Sequence, residues 1–185
     1  MNLTRSLTPE VLLRPVEPSD AGTFCEAQWR SREQLAPWEP KRAQEWYDPD
    51  FQAARFQDLR SSENTVPWVL MAGDRLVGTA TLSNIVARSW RSGDLGYWID
   101  VAEVGRGLAS AAVAAVCAIA DSELLLHRIA ASTSIENAAS QRVLTKNGFE
   151  QYGHARDYLH INGAWGDSYL YQRILNDRAP GEPPA

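Results

Sequence analysis

Cysteine and histidine are scarce in this chain, with two Cys and three His among 185 residues. Cys25 and Cys117 lie far apart with no C-x-x-C spacing, which argues against a disulfide framework or a zinc site and leaves two reduced core thiols. His127, His154 and His160 have neither metal-ligand spacing nor a carboxylate pattern beside them, so no metal is expected. Long apolar runs are missing as well. The longest, Leu108 to Ala120, is interrupted by Ser110 and too short to span a bilayer, and Met1 to Glu10 lacks an apolar signal core. A cytoplasmic protein without membrane contact is expected. Nor is there an excess of positive charge: 18 Lys and Arg against 23 Asp and Glu leave a net charge of −5. That balance argues against a nucleic-acid binder and leaves cationic small molecules or amines as partners.

What is present is an ordinary globular composition, 44% hydrophobic and 22% charged, sufficient for one domain with a full core. The domain is expected over residues 1–178, followed by a flexible tail, 179–185, rich in Pro. Val11 to Val16 reads as a strand, and Ser19-Asp20 caps a helix running to about Gln34. Pro37 and Pro40 break the chain around Trp38. Asp48-Pro49 starts a second helix ending near Asn64. Trp68–Ala72 and Leu76–Leu82 form a hairpin across Gly73-Asp74-Arg75, and Asp94–Ile99 is a further strand. An Ala-rich helix to Ser122, a strand at Arg128–Thr133 and a helix at Asn137–Asn147 closed by Gly148 follow. Strands near Phe149–Leu159 and Ser168–Ile174 complete the order. The pattern is a mixed sheet with antiparallel hairpins at both ends, one β-α-β unit in the middle and helices on its faces.

Chemistry is concentrated in two stretches. Gly105-Arg106-Gly107-Leu108-Ala109 lies between a strand and a helix, where backbone N–H groups converge at a helix N-terminus and favour phosphate oxygens. Arg106 offers a direct charge there. The loop lacks the Gly-Lys-Ser/Thr end of a nucleotide P-loop, and Ser110 takes the place of the third glycine of a dinucleotide fingerprint, so a diphosphate is favoured but a nicotinamide cofactor is not. The second stretch runs from Asn137-Ala138-Ala139-Ser140 through Val143 to Lys146-Asn147-Gly148-Phe149. By itself it is a capped helix in which Ser140 reaches back to Asn137.

Taken together with Gly96-Tyr97-Trp98-Ile99, Leu35-Ala36-Pro37-Trp38-Glu39-Pro40, Arg156-Asp157-Tyr158-Leu159 and Asn162-Gly163-Ala164-Trp165, these stretches resemble the GCN5-related N-acetyltransferase (GNAT) superfamily, in its RimJ/RimL-like branch. The likeness covers about residues 11 to 174. One departure is Val104, where the superfamily usually has Gln or Arg. The resemblance implies an α+β GNAT fold: a central, mostly antiparallel mixed sheet of about six to seven strands, splayed in the middle, with about four helices on its faces.

It further implies acetyl-CoA as co-substrate, wedged between the Asp94–Ile99 and Arg128–Thr133 strands. Its diphosphate would lie on Gly105, Arg106, Gly107, Leu108 and Ala109, and its pantetheine arm on Ile99, Val101 and Asn137, with Lys146 also on the cofactor. Ser140 would protonate the leaving thiolate, while Asp94 and Asp157 are the candidate bases; either carboxylate serves as well for strand-end solvation or ion pairing. Trp38 and Tyr97 are expected at the acceptor, with Trp46, Trp90 and Trp165 as further walls, although tryptophans at loop ends also anchor loops to a core. The expected acceptor is the α-amino group of a protein, of ribosomal-protein-alanine type. A small-molecule amine such as a polyamine, or a non-catalytic CoA-binding module, are the alternatives. Monomer and homodimer are both compatible with the sequence.

Overall fold

A computed structural model of the chain describes residues 1–180 and 182. The elements are β1 (Arg5–Ser6), β2 (Val11–Pro15), α1 (Ala21–Leu35), α2 (Pro49–Arg60), β3 (Val66–Ala72), β4 (Arg75–Val86), β5 (Ser92–Ile99), α3 (Leu108–Ser122), β6 (Arg128–Ser134), α4 (Ala138–Lys146), β7 (Glu150–Ile161) and β8 (Ala164–Ile174). Eight strands form one sheet in the order β1-β2-β3-β4-β5-β6-β8-β7. Every neighbouring pair is antiparallel except β5 and β6, which run parallel around the α3 crossover. The α+β fold is the expected one, with eight strands in place of six to seven. The additional strand is the two-residue β1, which pairs Arg5 with Leu13 and Ser6 with Leu12.

Local chemistry sets most of the boundaries. Asp48 Oδ1 accepts the Phe51 N–H at 2.9 Å, and Pro49 occupies the first helical position of α2. That helix ends at Arg60 rather than near Asn64, where Ser62 and Asn64 bond each other at 2.8 Å and compete with the helical ladder. Asp20 stands at the N-cap position of α1 as expected, but its side chain makes no cap bond and receives two bonds from Arg14, at 2.9 and 2.6 Å, and one from the Glu17 N–H. Asn137 does cap α4, accepting the Ser140 N–H at 3.0 Å, and Gly148 leaves that helix at φ 74°.

At β3 the sheet is covered on both faces, so this strand carries an unbroken apolar run. In β3, Trp68 and Leu70 face the α3 side, packing with Val113, Val116 and Ile119, while Val69 and Met71 face α1 and α2, packing with Phe24 and Phe56. Removing a side chain such as Ile119 down to Ala costs about 2–5 kcal/mol at such a site. Cys25 and Cys117 are buried and unpaired in the two halves of this core. Burial pushes the Cys117 thiol up to about 11. The expected tail, 179–185, lies partly outside the described residues. Of its described part, the Ala179 carbonyl accepts from Arg91 Nη1 at 3.1 Å. No helix among the described residues is long and apolar enough to cross a membrane.

Candidate active site

The parallel pair β5–β6 is joined only at Ser92 with Arg128, Gly93 with Ile129 and Asp94 with Ala130. Beyond these bridges β5 continues to Ile99 and β6 to Ser134 without pairing to each other, so the sheet opens in its middle. A cavity of about 790 Å³ occupies the opening. On the α3 and α4 side it is lined by Gly105, Gly107 to Ser110, Asn137, Ser140 and Lys146. On the α1 and α2 side its lining includes Gln28, Trp38, Arg42, Trp46 and Arg55.

The glycine loop is built by backbone conformation. Asp100, fully buried and paired with Arg30, accepts the Ala102 N–H at 3.0 Å and starts a single turn over Val101–Glu103. Gly105 and Gly107 then take φ of 81° and 79°, which an L side chain enters at a cost of about 1–2 kcal/mol. A Cβ at either glycine would meet no atom within 4 Å, so it is the left-handed turn, not crowding, that requires glycine. Gly107 stands at the N-cap of α3 and contributes no side chain. The first N–H groups of the helix therefore have neither an intrahelical acceptor nor a side-chain cap, and with the helix dipole they form an anion-binding end.

Arg106 is used differently from the expectation: its guanidinium pairs with the buried Glu103, which also pairs with Arg75, and it is not part of the lining. The hydrogen bond from Arg75, outweighing burial and joined by Arg106, holds the Glu103 carboxyl below the usual glutamate range. The cations that do line this side are Arg142 and Lys146 on α4. Sequence reading passed over Arg142, although its spacing of four from Lys146 puts both on one helix face. Ile99 is on the lining, whereas Val101 is not, and the Val101 N–H donates to Ser31 Oγ at 3.0 Å.

At the centre, Tyr97 from β5 and Ser140 from α4 meet across the opening with their oxygens 2.9 Å apart. Burial pushes the Tyr97 hydroxyl up to about 12, against the opposing effect of its bond to Ser140. Tyr97 is accordingly protonated near neutrality; when it donates to Ser140 Oγ, the serine hydrogen is free to point elsewhere in the cavity.

Neither candidate base reaches the cavity. Asp94 lies at the last β5–β6 bridge, below the opening, exposed and accepting from Asn84 Nδ2 at 2.9 Å. Asp157 sits exposed in a bulge of β7 with φ 48°, its N–H donating to Asp167 Oδ1 at 3.0 Å. The carboxylates that line the cavity are Glu39 and Glu103, and both are paired with arginine. Trp38 and Trp46 are on the lining; Trp90 and Trp165 are about two-thirds exposed and stand off it. No group of three His, Cys, Asp or Glu suited to a metal occurs among the described residues.

A sheet opened between two parallel strands, with a capless helix start on one side and an aromatic loop on the other, defines an acyl-group transferase cleft of the GNAT type. The chain belongs to the acetyltransferase (GNAT) domain family, whose model matches residues 10–150. It is an N-acetyltransferase. The Escherichia coli [ribosomal protein uS5]-alanine N-acetyltransferase is 31% identical over 182 residues, covering 96% of this chain and 94% of that one. The ribosomal-protein-S5-alanine acetyltransferase of Vibrio fischeri superposes with a TM-score of 0.90 at 31% identity, over 95% of this chain and 98% of that one. Mycobacterium smegmatis RimJ, solved in complex with CoA-disulfide, superposes with a TM-score of 0.82 at 30% identity over 89% and 81% of the two chains.

Proposed function

We propose that the protein transfers the acetyl group of acetyl-CoA to the α-amino group of a protein N-terminus, an alanine of a ribosomal protein being the model substrate. The observation that carries this reading is the continuity of one cavity from the glycine loop, past Tyr97 and Ser140, to Trp38. A donor site and an acceptor site on opposite sides of a sheet can exchange a group only through such an opening.

The residues fit CoA. The N–H groups at the start of α3, the open space at both glycines and the Arg142 and Lys146 cations suit a diphosphate. The unpaired edge of β5 from Leu95 to Ile99 suits the amide arm. Bound there, acetyl-CoA supplies an activated thioester. Trp38 and its neighbours hold the acceptor so that its neutral amine nitrogen attacks the thioester carbonyl carbon. As the carbon–sulfur bond breaks, Ser140 gives its hydroxyl proton to the sulfur, with Tyr97 donating to Ser140 Oγ in support. Water takes the proton released by the amine and returns one to Ser140 when the products leave.

The lack of an unpaired carboxylate or histidine on the lining favours an α-amine over a lysine. An α-amino group with pKa near 7.7–8.0 is already about a tenth neutral at pH 7, whereas lysine is neutral to only about 0.04%. On this reading residues 1–178 act as one catalytic unit in the cytoplasm, as a monomer or homodimer. Acetyl-CoA mixed with a peptide beginning in Ala should release free thiol, and the same peptide with a blocked terminus should release none. Thiol release undiminished by the block would reject the α-amine acceptor.

A further inference from the structure

The acceptor side of the cavity carries a guanidinium with unused hydrogen-bonding capacity. Arg42 and Arg55 both stack on the Trp46 ring, their Cζ atoms 3.8 and 4.7 Å from its centroid. Arg42 is neutralised by Glu39, its Nη2 donating to Oε2 at 3.0 Å. Arg55 has no carboxylate partner among the described residues. Its one protein bond is from Nη1 to Gln52 Oε1 at 3.1 Å. Gln52 is itself fully buried and donates from Nε2 to the Trp46 carbonyl at 2.7 Å, so the guanidinium is held by a fixed support. The rest of its N–H groups make no bond within the described protein, yet they are not among the sealed, unpartnered polar atoms. Arg55 is among the residues that line the cavity.

An arginine that is half-buried, oriented and unneutralised is a receptor for a carboxylate. With Glu39 already engaged by Arg42, the local balance on this side is positive even though the chain as a whole is negative. A polycation such as a polyamine is therefore poorly suited to it. We propose that Arg55 selects acceptors bearing an acidic side chain close to the N-terminus, an inference that rests on the α-amine reading above. The reach is set by ring contacts. Trp98, next to Tyr97, lies 6.1 Å from Phe24, Phe24 lies 6.2 Å from Trp46, and Trp46 lies 4.7 Å from Arg55. Those contacts set an upper limit on the separation, and since an extended peptide advances about 3.3 Å per residue, side chains of the second to the fourth residue fall within it.

The test uses peptides beginning in Ala with Glu or Gln at position 2, 3 or 4, titrated calorimetrically into the protein saturated with CoA. At one of these positions Glu should bind about 10-fold tighter than Gln, the discrimination of one good charge-assisted pair. In Arg55→Met that ratio should fall to about one, while Arg55→Lys should keep part of it. Equal binding of Glu and Gln peptides at all three positions, binding of neither, or a ratio that survives in Arg55→Met overturns the inference. Turnover of the same peptides separates it from the reading beneath it. Acetyl transfer without a Glu preference rejects the role of Arg55 alone, and a Glu preference in binding without transfer supports that role while rejecting the α-amine reading.

Discussion

The two halves of the cavity are built on different principles. The half beneath α3 and α4 relies on backbone: two glycines in left-handed conformation, a helix start without a cap and the free edge of β5. The half beneath α1 and α2 relies on side chains, Trp38, Trp46, Arg42 and Arg55, delivered by a loop and a helix far from β5 in sequence. A site made of backbone tolerates little change in conformation and much change in side-chain chemistry. A site made of side chains tolerates the reverse. Donor recognition should therefore fail abruptly under backbone substitutions, and acceptor recognition should be tuned by single side chains with no effect on the donor.

The sharpest break is expected from Gly107→Asp, which places an anion among the N–H groups at the start of α3. The acetyl-CoA thermal shift should disappear, while the apo protein melts only a few degrees lower, since strain of about 1–2 kcal/mol moves Tm by about 2–4 °C per kcal/mol at this size. Gly107→Ala separates strain from charge and should retain a reduced shift. Next in size is Ser140→Ala, for which kcat should fall about 10- to 1000-fold with acetyl-CoA affinity unchanged, because the lost bond forms in the transition state. Tyr97→Phe removes only a supporting bond and should cost about 5-fold. Because the Tyr97 hydroxyl is pushed up to about 12, kcat should show no decline attributable to its ionisation up to pH 10.

Trp38→Ala should raise the peptide KM about 5- to 30-fold and leave acetyl-CoA binding untouched, sharpening the independence of the two halves. A change in acetyl-CoA affinity of the same size would join them into one site. The smallest effect concerns Glu103 behind the glycine loop. Its folded pKa lies below the unfolded value, so it stabilises the fold above the unfolded pKa and that contribution is lost as pH falls through the folded one. Thermal melts from pH 7 down to pH 3 should decline less steeply for Glu103→Gln than for the natural protein.

The same contrast explains what the sequence disclosed. Gly105, Gly107, Asn137 and Ser140 were readable because turns, caps and helix starts impose residue types at fixed local spacing. The loop holding Trp38 was readable because Pro37 and Pro40 break the chain around it, while its place beside the acceptor was an expectation from the family resemblance. Arg55 was not, since on α2 it looks like any solvated helix charge until Trp46 and Gln52 close around it. β1 escaped notice because a two-residue strand has no periodicity of its own and exists through its pairing with β2. Asp94 and Asp157 were plausible by proximity in sequence to motif residues, but their positions depend on nonlocal features. Asp94 falls where β5 and β6 still pair, and Asp157 falls in a bulge whose register is set by β8.

The central claim is that a donor held by backbone gives its acetyl group to an α-amine held by side chains. It is tested most directly by mass spectrometry of a peptide that begins in Ala and contains internal lysines, after incubation with the protein and acetyl-CoA. The expected product carries one acetyl group, on the terminal nitrogen, with every lysine free. An acetyl group on a lysine Nζ, or no transfer by a protein that still binds acetyl-CoA, would contradict the claim.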